Sequence, residues 1–311
     1  MRVDELVRGV LGGDRRAVAR AISAVEDGGD GLEELSEGIF ASTGRAATIG
    51  LTGAPGVGKS TLAAGVVRVS RALDLRVAVL AVDPTSPYTG GALLGDRVRM
   101  QEHATDPSVF IRSMATRGHL GGMALAAPEA VRILDAAGYD RVVVETVGVG
   151  QAEVDVAAAT DTAVVVLAPG MGDAVQMAKA GILEVADVFV VNKADREGGH
   201  EVVRELRQML HLGAARDWDP PVLTTTATDD EGVEAVWEAI ESHRTHLGAT
   251  GALGAKRRAR LLREVEALAA ERFRLEITSV LEADEELANA LAERRVDPYE
   301  AAAMLVGRAA G

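Results

Sequence analysis

From Ala46 onward the chain alternates short, near-continuous apolar runs with longer stretches of helical period. The runs are Thr48–Leu51, Val77–Val82, Val142–Glu145, Ala163–Leu167, Val188–Asn192 and Val222–Thr224. Unbroken apolar runs of this length predict strands buried on both faces. Spacings of roughly 25 to 60 residues leave room for crossover helices between parallel neighbours. Segments 195–213 and 232–246 read as covering helices, the second with Val233, Val236, Trp237 and Ile240 in one apolar stripe. The pattern predicts an α/β fold, a doubly wound and mostly parallel sheet.

The flanks differ. Residues 1–45 read as a helical extension: Asp14 caps a helix carrying Val18, Ile22 and Val25, Gly28-Gly29 ends it, and a second helix near 32–41 presents Leu35 and Ile39. After Leu247 the stretch 248–255 (Gly-Ala-Thr-Gly-Ala-Leu-Gly-Ala) reads as a linker. Lys256, Arg257, Arg258 and Arg260 follow on a long helix to about Glu276, then helices near 284–294 and from Pro298 to Val306. The expected division is an N-terminal extension (1–45), a nucleotide-binding domain (46–247) and a helical C-terminal arm (248–311) that packs on the main domain or another subunit.

Composition narrows the function. Only 3% of the 311 residues are aromatic although 48% are apolar, so the core is aliphatic. A net charge of −14 argues against general binding to nucleic acid or to an anionic membrane. The absence of Cys excludes disulfides, thiolate metal sites and a thiol nucleophile. The six His are scattered, and His243 and His246, three apart on a helix, read as solvent-facing. With no apolar run of about 18 residues and no signal-like N-terminus, the expectation is a cytoplasmic protein without a membrane span.

The strongest chemical signal is Gly53-Ala54-Pro55-Gly56-Val57-Gly58-Lys59-Ser60-Thr61, a G-x-x-x-x-G-K-[ST] pattern directly after a predicted strand. Its glycines let successive N–H groups turn toward a phosphate, and the helix starting near Lys59 adds a positive dipole end. The Lys59 ammonium would reach the outer phosphates, and the Ser60 hydroxyl would sit on Mg²⁺. Downstream, Asn192-Lys193-Ala194-Asp195 closes a strand with an N-K-x-D pattern. The Asp195 carboxylate can accept from guanine's ring N–H and exocyclic amine together, a pair adenine lacks, so the site would select GTP and GDP. Asn192 and Lys193 would brace the loop and cover the base, with Thr226-Ala227 adding backbone contacts.

Acids at strand ends complete the candidate site. Asp83 and Glu145 fall at carboxyl ends, where open α/β sheets bind ligands and where Mg²⁺ would find carboxylates. Asp96 lies in a polar, Gly-rich loop, 85–100, suited to sensing nucleotide. The N–H of Gly148 could report the γ-phosphate, and Gln151 is a candidate for orienting water. Arg112 and Arg117, read as loop residues, are candidates for contacting a phosphate or a partner enzyme.

With these residues assembled, the chain resembles the methylmalonyl-CoA mutase-associated GTPases, the MeaB or ArgK-like family of the SIMIBI class. The resemblance runs through 53–61, 82–97, 110–122, 145–151 and 192–195, and takes in Thr250-Gly251 and Lys256–Arg258. It implies a homodimeric GTPase whose C-terminal arm dimerises. Such a protein acts as chaperone to an adenosylcobalamin-dependent acyl-CoA mutase, gating cofactor loading and protecting or rescuing the enzyme. Methylmalonyl-CoA mutase is the first client expected, with a related acyl-CoA mutase open. The resemblance also places Asp96 with Ser60, Asp83 and Glu145 around Mg²⁺, and makes 169–184 a further switch loop facing the mutase. Older kinase naming finds no acceptor motif in the sequence. A small-molecule kinase and a nucleotide-controlled adaptor stay open as rival uses of the same phosphate loop.

Overall fold

A computed structural model describes residues 2–28, 30–84, 103, 105–116, 122–146, 152–170, 183–212 and 216–309. Among these, seven strands form one parallel sheet: β1 Ala47–Thr52, β2 Val77–Pro84, β3 Val109–Thr116, β4 Arg141–Thr146, β5 Thr162–Leu167, β6 Val188–Asn192 and β7 Val222–Thr225. Their order is β3-β2-β4-β1-β5-β6-β7. Strands β2 to β4 lie on one side of β1 and β5 to β7 on the other, so winding reverses around β1, and ligands of open α/β sheets bind at such a reversal.

The aliphatic runs are buried on both faces, as their lack of alternation predicted. Leu80, Val82, Val142 and Val144 pack on one side, while Val79, Val143, Val164 and Val166 pack on the other. Helices α4 (Lys59–Ala72) and α8 (Val233–Thr250) cover the second face, the latter through Val233, Val236, Trp237 and Ile240. The first face is covered by α5 (Gly122–Ala136), α6 (Ala152–Ala159) and the extension helices α1 (Val3–Leu11), α2 (Arg15–Asp27) and α3 (Leu32–Phe40). As expected, the Asp14 carboxylate caps α2, accepting from Arg16 and Ala17 N–H at 2.9 and 2.7 Å. Helix α7 (Gly199–Leu212) packs on β6 and β7, starting four residues later than predicted because 194–198 form turns.

Two further features depart from the sequence reading. The sequence pattern reads 109–116 as loop, but these residues form β3. Its run Val109-Phe110-Ile111 is interrupted by Arg112 and Ser113, yet the strand continues because α2 lies over Arg112 and supplies partners. The 248–255 linker is in fact helical: α8 runs to Thr250, Gly251 makes a one-residue left-handed break, and α9 runs from Ala252 to Ala283. Its alanines are strong helix formers, which outweighs the interspersed glycines.

Two compact units are present, Met1–Arg260 and Leu261–Gly311. In the second, the end of α9 packs with α10 (Glu285–Ala292) and α11 (Pro298–Ala309) around Leu287, Ala301 and Leu305. Asp284 caps α10 through the Leu287 N–H at 2.9 Å. Among the described residues no helix is long and apolar enough to cross a membrane.

Candidate nucleotide site

Strand β1 ends at Thr52 and α4 begins at Lys59, with the glycine-rich loop between them at the carboxyl end of the sheet. Two positions there admit only glycine. Gly53 has φ 142°, and a Cβ on it would overlap the Val166 carbonyl of β5; Gly58 has φ 97°, and a Cβ there would overlap the Asn192 amide. The buried Lys59 ammonium donates to the Gly53 and Ala54 carbonyls at 2.7 and 3.0 Å, so the lysine lies folded over its own loop.

The β1–β4 register sets Leu51 beside Glu145, bringing that acid to the start of α4. The Ser60 hydroxyl donates to Glu145 Oε1 at 2.6 Å, and both residues are buried. An alcohol and a carboxylate side by side at a strand end are hard oxygen donors of the kind Mg²⁺ takes. The donor chemistry therefore fits that ion.

On the other side, Asn192 ends β6 at 2% exposure and joins three segments. Its Nδ2 donates to the Val57 carbonyl at 2.8 Å, while its Oδ1 accepts from Thr225 Oγ1 at 3.0 Å and Ala227 N–H at 3.1 Å. Lys193 adopts φ 56° and donates through Nζ to the Gly56 carbonyl at 2.5 Å. Both residues brace the phosphate loop. Asp195 follows in an exposed turn, and the Ala194 N–H before it donates to the Thr225 carbonyl at 3.1 Å, next to the buried Thr226 and Ala227. Thr225 was missed by sequence reading, which ended the last strand at Thr224. The signal was the β6–β7 pairing that sets Thr225 opposite Asn192.

Of the remaining candidates, Asp83 lies at the end of β2 with its side chain outside the described set. Asp96, Arg117, Gly148, Gln151 and most of 169–184 fall outside the described residues. Two readings are corrected. Arg112 is no loop arginine: from β3 it pairs with Glu26 and donates to Ser23 Oγ at 2.8 Å and the Ala19 carbonyl at 3.1 Å, fastening α2. His243 does not face solvent but is 2% exposed, with Nδ1 2.9 Å from Thr162 Oγ1 and Nε2 3.3 Å from Asp187. Burial holds its imidazole below the ordinary histidine range, against the opposing pull of the Asp187 and Asp161 carboxylates.

A parallel sheet with a phosphate loop at its winding reversal, tied through Asn192 to an N-K-x-D turn, defines a P-loop GTPase. The profile of the methylmalonyl Co-A mutase-associated GTPase family MeaB matches residues 18–282, and the chain belongs to that family. It is 46% identical to a Pyrococcus abyssi protein named as a GTPase, over 98% of this chain and 96% of that one. It is 35% identical to the mouse protein named methylmalonic aciduria type A homolog, mitochondrial, over 82% of this chain and 66% of the relative. Among solved structures it is similar to a LAO/AO transport system kinase, with 29% identity, TM-score 0.72, and coverage of 99% and 98%.

Proposed function

We propose that this GTPase is a magnesium-dependent switch that gates adenosylcobalamin loading into an acyl-CoA mutase, methylmalonyl-CoA mutase first, and protects or reactivates that enzyme in the cytoplasm. The observation that carries this reading is the family match, which spans both halves of the site; the mouse relative's name points the same way. GTP's phosphates lie in the 53–61 loop, where the loop N–H groups and the Lys59 ammonium offset their charge. Asp195 accepts from the guanine edge, with Thr226 and Ala227 adjoining. Ser60, Glu145, Asp83 and Asp96 hold Mg²⁺, which when bound offsets charge on the outer phosphates. The Gly148 N–H reports the γ-phosphate and its loss on hydrolysis.

The protein works as a homodimer in this reading. Support comes from α9, where Leu261, Val265, Leu268 and Leu275 are 38–62% exposed and follow heptad spacing, as one strand of a helical pair does. Client recognition is tested by phosphate release with and without purified methylmalonyl-CoA mutase, and by capture of the mutase in GTP and in GDP. Slow turnover accelerated by the mutase, with capture that depends on nucleotide, is expected. Fast turnover indifferent to the mutase refutes the reading. Nucleotide choice is read from Asp195→Asn, which should erode preference for GTP over ATP by about tenfold or more.

A further inference from the structure

At the end of the sheet opposite the nucleotide, three cations from the first turns of α9 converge on two acids. Arg257 grips the Asp161 carboxylate with both Nε and Nη2, at 3.1 and 2.6 Å, and Arg260 adds Nη2 at 3.2 Å. Lys256 donates to the Asp161 carbonyl at 2.7 Å and to Asp187 Oδ2 at 3.1 Å. Asp161 immediately precedes β5 and Asp187 immediately precedes β6. The guanidinium of Arg257 also reaches the Gly44 and Ala46 carbonyls, which lead into β1, at 2.5 and 2.7 Å. The root of α9 thus holds the leading ends of the three strands whose trailing ends carry Gly53, Val166 and Asn192.

This differs from a surface ion pair, which contributes little. The Asp161 side chain is 2% exposed and also accepts from the Thr48 N–H at 3.1 Å, while its own N–H donates to Thr48 Oγ1 at 2.7 Å. A carboxylate so buried requires its cations, because stripping them leaves an uncompensated charge. A fork-shaped guanidinium meets it at two points, which an ammonium cannot do.

We infer that Asp161 is the catch of an ionic latch that makes Ala252–Arg260 part of the GTPase body and orders the leading ends of β1 and β5, independently of the nucleotide site. The latch places the limit of the body after Arg260, where the compact unit ends, instead of at the Gly251 break.

Hydrogen exchange on the full chain tests this with Arg257→Met, Arg257→Lys and Asp161→Asn. Arg257→Met and Asp161→Asn should speed exchange of 44–48 and 252–260 by about tenfold or more relative to the strand interiors, as opening of a local unit does. Arg257→Lys should fall between wild type and Arg257→Met, and GTP turnover of Arg257→Met should stay within about twofold of wild type, since its partners Asp161, Gly44 and Ala46 lie outside the nucleotide site. No acceleration at 252–260, or the same acceleration throughout the chain, overturns the latch. A loss of turnover with local exchange unchanged overturns it as well.

Discussion

Replacing Asn192 with alanine tests whether the phosphate and base halves of the site are held as one. The amide makes three hydrogen bonds of 2.8, 3.0 and 3.1 Å, to Val57, Thr225 and Ala227. At 2% exposure there is little room for water to replace them. Each such bond contributes about 0.5–1.5 kcal/mol net, so losing all three costs about 3 kcal/mol. That loss divides between folding and binding, because the bridge exists without ligand and also sets the loops in the geometry that GTP meets. Urea unfolding of the ligand-free variant measures the first share, and calorimetric titration with GTP measures the second. The shares should sum to about 3 kcal/mol; if all of it fell on binding, Kd would rise by roughly a hundredfold or more. Thr225→Val removes one donor and should cost about 1 kcal/mol in the same two assays. If Asn192→Ala shifted both quantities by less than about 0.5 kcal/mol, the change of an ordinary surface substitution, the bridge would carry none of the site's organisation.

Three further outcomes are expected. Gly58→Ala forces a side chain into a left-handed backbone and against the Asn192 amide; strain of about 1–3 kcal/mol should appear as weaker GTP binding by calorimetry. Lys59→Ala removes the ammonium that lies on the Gly53 and Ala54 carbonyls, and phosphate release should slow by about 10²- to 10³-fold, the loss typical of one charge-stabilising donor. His243, held below the ordinary histidine range by burial, takes up its proton later than the unfolded chain does as pH falls. Its contribution is therefore whole above the unfolded value of about 6.5 and is lost progressively as pH falls from there toward the lowered folded-state value, so urea midpoints should drop as pH falls below about 6.5, and less steeply in His243→Gln.

Motif chemistry was legible in the sequence because it is local. Gly53–Thr61 and Asn192–Asp195 each carry their backbone demands within a few neighbouring residues, so the bracing role of Asn192 is legible from its motif alone. The sheet was legible too, since strands buried on both faces leave unbroken aliphatic runs. Apart from the helical 248–255 stretch, where alanine propensity outweighed the glycines, the main exceptions share one physical cause, a polar side chain satisfied by a partner far along the chain. Arg112 interrupts β3 in sequence but meets Glu26, 86 residues away. Thr225 looks like the frayed end of a strand until the register sets it against Asn192. His243 suggests a surface helix position until Thr162, 81 residues away, and Asp187 close around it.

The Asp161 network follows the same rule on a larger scale. Lys256, Arg257 and Arg260 suggest a solvated basic stretch, and their composition alone would place them in the arm. Their partners at Asp161, Asp187, Gly44 and Ala46 lie between 69 and 213 residues away. Burial of one carboxylate among these groups turns a surface charge run into a fixed attachment, because a buried acid must keep its cations. The consequence is a division of labour along these strands: backbone geometry at the trailing ends shapes the proposed nucleotide site, and paired charge at the leading ends holds the turns Ala252–Arg260. Substitutions at one end should then alter GTP chemistry while those at the other alter where the body ends, and a variant that moved both together would show that the two ends are not separable.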